Sequence, residues 1–212
     1  ISNTGTRLTY PAVRRGDTVD TYHGAEVADP YRWLEDPDGE ETRAFVESEN
    51  KVTLPYLESL PLKEKLTGRL SEVYNYPKQG CPARRGKRIV FSRKEGLQNQ
   101  PVVYAAESLS DASPRVLLDL NKEDPEGTTA LRVSSFSKCG EYWAYGVSKK
   151  GSDWSVARVM KVSDGSLLPE DELHWLRFTS IAWSHDGKGF YYGRYPALDV
   201  KDLGAETNVA EN

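Results

Sequence analysis

Sulfur and histidine are scarce in this sequence: two cysteines, one methionine and three histidines among 212 residues. Two thiols, Cys81 and Cys139, cannot staple so long a chain into a disulfide framework. They read as reduced structural residues of an intracellular, cytoplasmic protein. Long apolar runs are missing too. The longest, such as Val102-Val103-Tyr104-Ala105-Ala106, falls far below the ~20 residues of a membrane span. No charged start leads into an apolar run of the signal-peptide kind. Basic excess is equally absent, with 28 Lys and Arg against 32 Asp and Glu and a formal charge of −4. Residues 1–75 hold 14 acids and 9 bases, and residues 76–212 hold 18 and 19. Neither part has the positive surplus that nucleic-acid binding demands. A membrane protein, a collagen-like fibre and a disulfide miniprotein are excluded, and neither a membrane nor a nucleic acid is expected as a partner.

Signatures of chemistry are missing as well. A serine hydrolase places its nucleophile on a strained turn, usually G-x-S-x-G, with His and an acid in reach; no such motif occurs. His23, His174 and His185 have no neighbours that mark a base, and His185 falls in a predicted turn as a solvated side chain. The cysteines and histidines show no metal-ligand spacing, and no Gly-rich phosphate loop is present. No metal and no cofactor is expected. Glu170-Asp171-Glu172 reads as a solvated acidic loop.

What is there changes character near residue 75. Before it the signals are helical. Asp38 and Glu41 have the spacing of a capping box, and Phe45, Val52 and Tyr56 predict one buried stripe. Pro55 should kink or restart this helix. A second helix is predicted after Ser59-Leu60, with Pro61 in its first turn and Leu62, Leu66, Leu70 and Val73 on one face. After Tyr76-Pro77, short runs rich in β-branched and aromatic residues alternate with turn residues: Arg88–Ser92, Pro101–Ala105, Arg115–Leu118, Leu131–Phe136, Glu141–Val147, Trp154–Val162, Phe178–Trp183 and Gly189–Gly193. Such a pattern predicts antiparallel sheets.

An internal repeat sharpens that reading. Phe136-Ser137-Lys138-Cys139-Gly140-Glu141-Tyr142-Trp143-Ala144-Tyr145-Gly146 aligns with Trp183-Ser184-His185-Asp186-Gly187-Lys188-Gly189-Phe190-Tyr191-Tyr192-Gly193, and Gly86-Lys87-Arg88-Ile89-Val90-Phe91 is a weaker copy. A period of about 40–50 residues is that of a four-stranded propeller blade. Two unrelated hairpins with similar turn chemistry are the alternative. Propellers close with about 4–8 blades, whereas residues 76–212 have room for fewer than three. The chain is therefore expected to be an incomplete piece whose ring is closed by a second chain or a remainder. Its tail Ala197–Asn212 reads as a mobile loop. Arg84-Arg85-Gly86-Lys87-Arg88 is the densest basic run. It reads as a charged turn and edge strand that discourages sheet-to-sheet association, with an anion contact as the other possibility.

Several segments, in order over almost the whole chain, resemble the prolyl oligopeptidase family of serine peptidases. They are Tyr10-Pro11-Ala12-Val13-Arg14-Arg15, Val27-Ala28-Asp29-Pro30-Tyr31-Arg32-Trp33-Leu34-Glu35-Asp36-Pro37, Tyr74-Asn75-Tyr76-Pro77-Lys78, Gly96-Leu97-Gln98-Asn99-Gln100, Gly151-Ser152-Asp153-Trp154 and Ala182-Trp183-Ser184-His185-Asp186-Gly187-Lys188-Gly189-Phe190. The resemblance implies a mixed fold: residues 1–75 as the N-terminal helical segment of an α/β-hydrolase domain, and residues 76–212 as the first blades of a seven-bladed β-propeller. It implies hydrolysis of internal Pro–Xaa bonds in short, proline-containing peptides by a Ser–His–Asp triad lying outside these residues. Relatives that join peptide ends share the architecture, and a non-catalytic propeller interaction module is a further alternative. The residues implied to meet substrate are Phe178, which would line the apolar part of the pocket, and Asp153 and Arg177, which would shape the charge around bound peptide. Other readings remain for two of these: Phe178 as an inward strand residue and Asp153 as a turn cap.

Overall fold

The computed structural model describes residues 8–197. The chain divides into two units after Leu70. The tail assigned above to a mobile loop lies outside the described residues beyond Ala197. Among the described residues no helix is long and apolar enough to cross a membrane.

The first unit opens with a hairpin, β1 (Val19–Tyr22) and β2 (Ala25–Ala28). Its turn places His23 and Gly24 at φ 52° and 84°, the pair of positive angles that matches strand twist in a two-residue hairpin. A 3-10 turn follows at Arg32–Glu35, then α1 (Glu40–Glu58). The family-like run around Asp29 and Trp33 organises this unit. Arg32 reaches Asp29 and Asp20, Trp33 donates its indole N–H to the Arg14 carbonyl at 3.0 Å, and Phe45 meets the Trp33 ring edge-on at 5.9 Å.

The expected capping box does not form. Gly39 is the residue before α1 and no side chain caps it, because both candidate carboxylates are engaged elsewhere: Glu41 binds Arg14 at 2.5 and 2.9 Å, and Asp38 binds Arg43. Nor does Pro55 break the helix. It sits in the last turn, where a missing N–H costs one hydrogen bond, and Ser59 closes that turn by donating to the Pro55 carbonyl. The second helix, α2 (Lys63–Tyr74), begins two residues after Pro61, which lies in the turn before it rather than in its first turn. Its face of Leu62, Leu66, Leu70 and Val73 is exposed rather than buried, as is Tyr56 of α1.

The second unit contains the sheets. β3 (Lys78–Gln79) and β4 (Ala83–Arg85) both pair with β5 (Arg88–Lys94), which pairs with β6 (Val102–Ala106) and then β7 (Arg115–Leu118). A short helix, α3 (Leu120–Glu123), leads to the second sheet. That sheet runs in order β8 (Ala130–Phe136), β9 (Tyr142–Ser148), β10 (Trp154–Lys161) and β11 (Leu167–Arg177). A third begins with β12 (Ile181–Trp183) and β13 (Phe190–Tyr192). All pairings are antiparallel.

β11 was not legible as a strand. Glu170-Asp171-Glu172 reads as a loop, but β11 is the outer edge of its sheet, where charge, and a proline such as Pro169, are tolerated and deter further pairing. Glu172 there accepts a hydrogen bond from Arg158 of β10 at 2.8 Å. Phe178 also departs from expectation. It lies between strands rather than beginning one, since β12 starts at Ile181.

Both faces of the second sheet are covered, and β9 shows how. Trp143, Tyr145 and Val147 face the first sheet, in a core with Val90, Val103, Leu118 and Leu120. Ala144 faces the other way, toward Leu176, Ile181 and Trp183. Gly146 shares that face, and a Cβ on it would stand 2.6 Å from Val133. Large residues on one face and small ones on the other let sheets stack closely on both sides. The repeat is equally visible in atoms. In each copy a serine (Ser137, Ser184) hydrogen-bonds an N–H five residues on and a glycine N–H (Gly140, Gly187) returns to its carbonyl. The aromatic pairs Phe136–Trp143 and Trp183–Phe190 sit at matching positions, with centroids 5.2 and 5.0 Å apart.

Candidate functional site

The hairpin joining β9 to β10 holds Lys150 and Gly151 at φ 50° and 75°, and this tight turn delivers Asp153 and Trp154 to the sheet's end. Trp154 lies opposite Arg177 in the β10–β11 register. Two pairs further on, β11 carries one extra residue between Leu173 and Leu176. Trp175, at φ 63°, takes up that bulge.

The three residues singled out from the sequence come together here. The Arg177 guanidinium lies 5.1 Å from the Phe178 ring centre and 5.4 Å from that of Trp154. Its Nη2 is 3.6 Å from Asp153 Oδ2, an ion pair longer than a hydrogen bond. Trp175 and Tyr195 meet the Trp154 ring edge-on at 6.1 and 5.3 Å, so Arg177 is backed by a small aromatic wall. Phe178 is 79% exposed, and its backbone sits at φ 49°. A bulky residue in the left-handed region is strained, by roughly 1–3 kcal/mol, and such strain concentrates at functional positions. Asp153 is not the turn's cap: Ser152 accepts the Trp154 N–H at 3.1 Å.

A cavity of about 130 Å³ lies among Asp153, Arg177, Phe178, Val133, Leu176 and Arg132. Its volume is that of one modest side chain. Arg132 was missed in the sequence, where one arginine in a strand carries no signal. It stands on β8 and reaches the β9–β10 hairpin, donating from Nε to Ser148 Oγ at 2.9 Å and from Nη2 to the Ser152 carbonyl at 3.4 Å. Arg132 thus fixes the turn that presents Asp153 and brings a second guanidinium to the cavity. Two cations face one carboxylate.

On β11, β10 and β9 of the same sheet, Glu172, Arg158 and Tyr145 form a separate polar group. A hydrogen bond from Arg158 holds the Glu172 carboxyl below its ordinary range, and burial raises the Tyr145 phenol beside Arg158. His174 lies 3.2 Å from Glu172, and His185 Nδ1 lies 3.0 Å from Lys138 Nζ. Among the described residues no histidine is hydrogen-bonded to a serine, and no cluster of three or more His, Cys, Asp or Glu could hold a metal ion. Cys81 and Cys139 are free thiols, and both are exposed.

Stacked antiparallel sheets, the first of five strands and the second of four, with like turns recurring at Gly86, Gly140 and Gly187, are the blades of a β-propeller. The family signature described as "Prolyl oligopeptidase, N-terminal beta-propeller domain" matches residues 11–211, and the chain belongs to the prolyl oligopeptidase family. It is 39% identical over 188 residues to a prolyl endopeptidase of Elizabethkingia meningoseptica, covering 89% of this chain and 26% of that protein. To the dual function macrocyclase-peptidase POPB of Galerina marginata it is 33% identical over 217 residues, covering 90% and 29%. A structure from a study of two prolyl endopeptidases superposes with a TM-score of 0.81 at 31% identity, covering 91% of this chain and 28% of that one. Prolyl oligopeptidase B from Galerina marginata, bound to a 35mer hydrolysis and macrocyclization substrate, superposes at 0.75 and 31% identity, covering 91% and 30%. The chain thus spans under a third of the length of these relatives.

Proposed function

We propose that this chain is the propeller-side wall of the substrate cavity in a proline-specific serine endopeptidase, acting on internal Pro–Xaa bonds of short peptides. Residues 1–75 belong in this reading to the hydrolase domain, and residues 76–212 are the first blades of the propeller. The serine nucleophile, its histidine base and the aspartate that orients the histidine come from polypeptide other than these residues. This chain's part is positioning. Phe178 stacks on an apolar side chain upstream of the proline, while Arg177, Arg132 and Asp153 set the charge around the peptide.

The observation that carries this reading is Phe178 itself: a 79% exposed ring on left-handed backbone, braced by Arg177. An exposed aromatic on strained backbone contributes little to folding, and its surface is available to a ligand. Burying such a ring face is worth about 1–2 kcal/mol, or about 5- to 30-fold in affinity. In the whole enzyme, Phe178→Ala is expected to raise KM by that factor for proline peptides with a bulky apolar residue upstream. KM for peptides with glycine there, and the melting temperature, should stay nearly constant. An unchanged KM together with a large loss of stability would make Phe178 a structural residue and overturn the assignment.

The likeness to a macrocyclase-peptidase raises a second reading, in which an amine rather than water takes the acyl group. Product analysis on a long proline peptide separates the two, since only ring closure leaves the mass one water lighter. A non-catalytic interaction module predicts no inhibitor-sensitive turnover at all.

A further inference from the structure

The basic run Arg84-Arg85-Gly86-Lys87-Arg88 has no part in the Phe178 site. It forms the end of β4 and the turn into β5. Protection of the free edge of β4 accounts for some of this charge, but not for what stands opposite. Gly86 and Gly140, at φ 57° and 75°, bring the first two repeat turns into backbone contact: a Cβ on Gly86 would lie 1.8 Å from the Cys139 carbonyl oxygen. This approach sets Lys138, from the second sheet, beside Arg84 and Arg85, from the first.

Between the sheets at that point is a crevice of about 600 Å³, within the ~300–1,000 Å³ range of small-molecule pockets. Arg84, Arg85 and Lys138 line it together with the apolar Phe91, Leu131 and Phe136, and none of its described lining residues is acidic. None of the three cations has a carboxylate partner among the described residues; Arg85 donates to the Arg84 carbonyl and Lys138 meets His185. In a chain of net charge −4, three cations on one concave surface with no carboxylate partner among the described residues repel each other, and an anion seated among them would relieve that repulsion. Guanidinium forks suit phosphoryl and carboxylate oxygens in pairs, while the aromatic wall suits an organic body. A concave pit in an acidic chain is the wrong shape and charge for nucleic acid, which needs an open basic track.

We propose that this crevice binds a small organic polyanion, with phosphoryl or multiple carboxylate groups on an apolar body. The site is apart from the Phe178 cavity and its failure leaves that reading untouched. Isothermal titration of the whole protein with pyrophosphate, citrate and ATP tests it. Pyrophosphate against citrate distinguishes phosphoryl from carboxylate preference, and ATP adds the aromatic body. The expected result is saturable binding, tightest for ATP, that weakens as salt rises. The double variant Arg84→Gln, Lys138→Gln should weaken it at least about tenfold, while Lys149→Gln at the far end of β9 leaves it unchanged. Absence of saturable heat with all three probes, or an unaltered Kd in the double variant, overturns the proposal. Should the double variant not fold, the native thiols decide. Cys81 lines the crevice and Cys139 does not, so saturating ATP should slow alkylation of Cys81 alone. Unslowed Cys81, or equal slowing of both, counts against the site.

Discussion

The contact between the first two repeat turns makes a quantitative test possible, because two glycines share a backbone angle but not an environment. Gly140 and Gly151 both have φ 75°. A Cβ on Gly151 meets nothing within 4 Å, whereas one on Gly140 would lie 2.1 Å from the Arg85 carbonyl oxygen and 3.2 Å from the Gly86 nitrogen. Alanine at either position carries the left-handed penalty of about 1–2 kcal/mol, and the small entropic gain from stiffening the unfolded chain is common to both. At Gly140 the obstacle is backbone, which cannot swing aside as a side chain can. The two turns must part by roughly 1 Å, pulling apart the strands whose Val90, Leu131 and Phe136 pack between the sheets. Overpacking of this sort costs about 1–3 kcal/mol more. Gly140→Ala should therefore destabilise the propeller by about 2–5 kcal/mol and Gly151→Ala by about 1–2. Gly187→Ala, at φ 70° with only Cys139 Sγ near, at 3.7 Å, should resemble Gly151→Ala. Tryptophan fluorescence in a urea titration reads this directly, since four of the five tryptophans lie in the second unit. Equal losses for Gly140→Ala and Gly151→Ala, within about 0.5 kcal/mol, would refute the close approach of the turns and with it the walls of the crevice.

Three further outcomes are expected. Arg177→Lys keeps the charge but loses the planar contact with Trp154 and Phe178, so KM for apolar peptides should rise several-fold with kcat nearly constant; a kcat effect alone would place Arg177 elsewhere in the mechanism. Trp143→Ala removes a ring with 0% exposure and should cost about 3–5 kcal/mol, seen as a collapse of the propeller's urea transition; tolerance of the change would mean that the two sheets are not packed as described. Hydrogen bonds from Thr128 and Thr129 hold the Asp124 carboxyl at about 2, below its usual value. A depressed carboxyl favours the fold above its unfolded pKa, and that advantage fades as pH falls toward 2. Asp124→Asn should thus be less stable than the parent at pH 7, with the difference shrinking below pH 4; a gap independent of pH would sink that cause.

Much of the architecture could be read locally. The eight runs of β-branched and aromatic residues became strands because burial on a pleated surface selects those residues. The repeat was visible because its serine and glycine are demanded by one turn geometry, which can be met only by residues close in sequence. Charged β11 escaped notice, since an edge strand need not look apolar. The capping box failed for a related reason: Glu41 had the right spacing, but Arg14, 27 positions away, bound it instead.

For the candidate site, the sequence by itself singled out three residues, and only the tertiary structure decided which others stand beside them. Phe178, Arg177 and Asp153 stood out through neighbouring residues that resemble a known pattern. Arg132 and the gathering of Lys138, Arg84 and Arg85 around one crevice did not, because sheet register and the stacking of one sheet on the next bring together residues dozens of positions apart. Short-range sterics and hydrogen bonding write themselves into adjacent letters. Proximity across a packed core does not, because it exists only once the chain has folded.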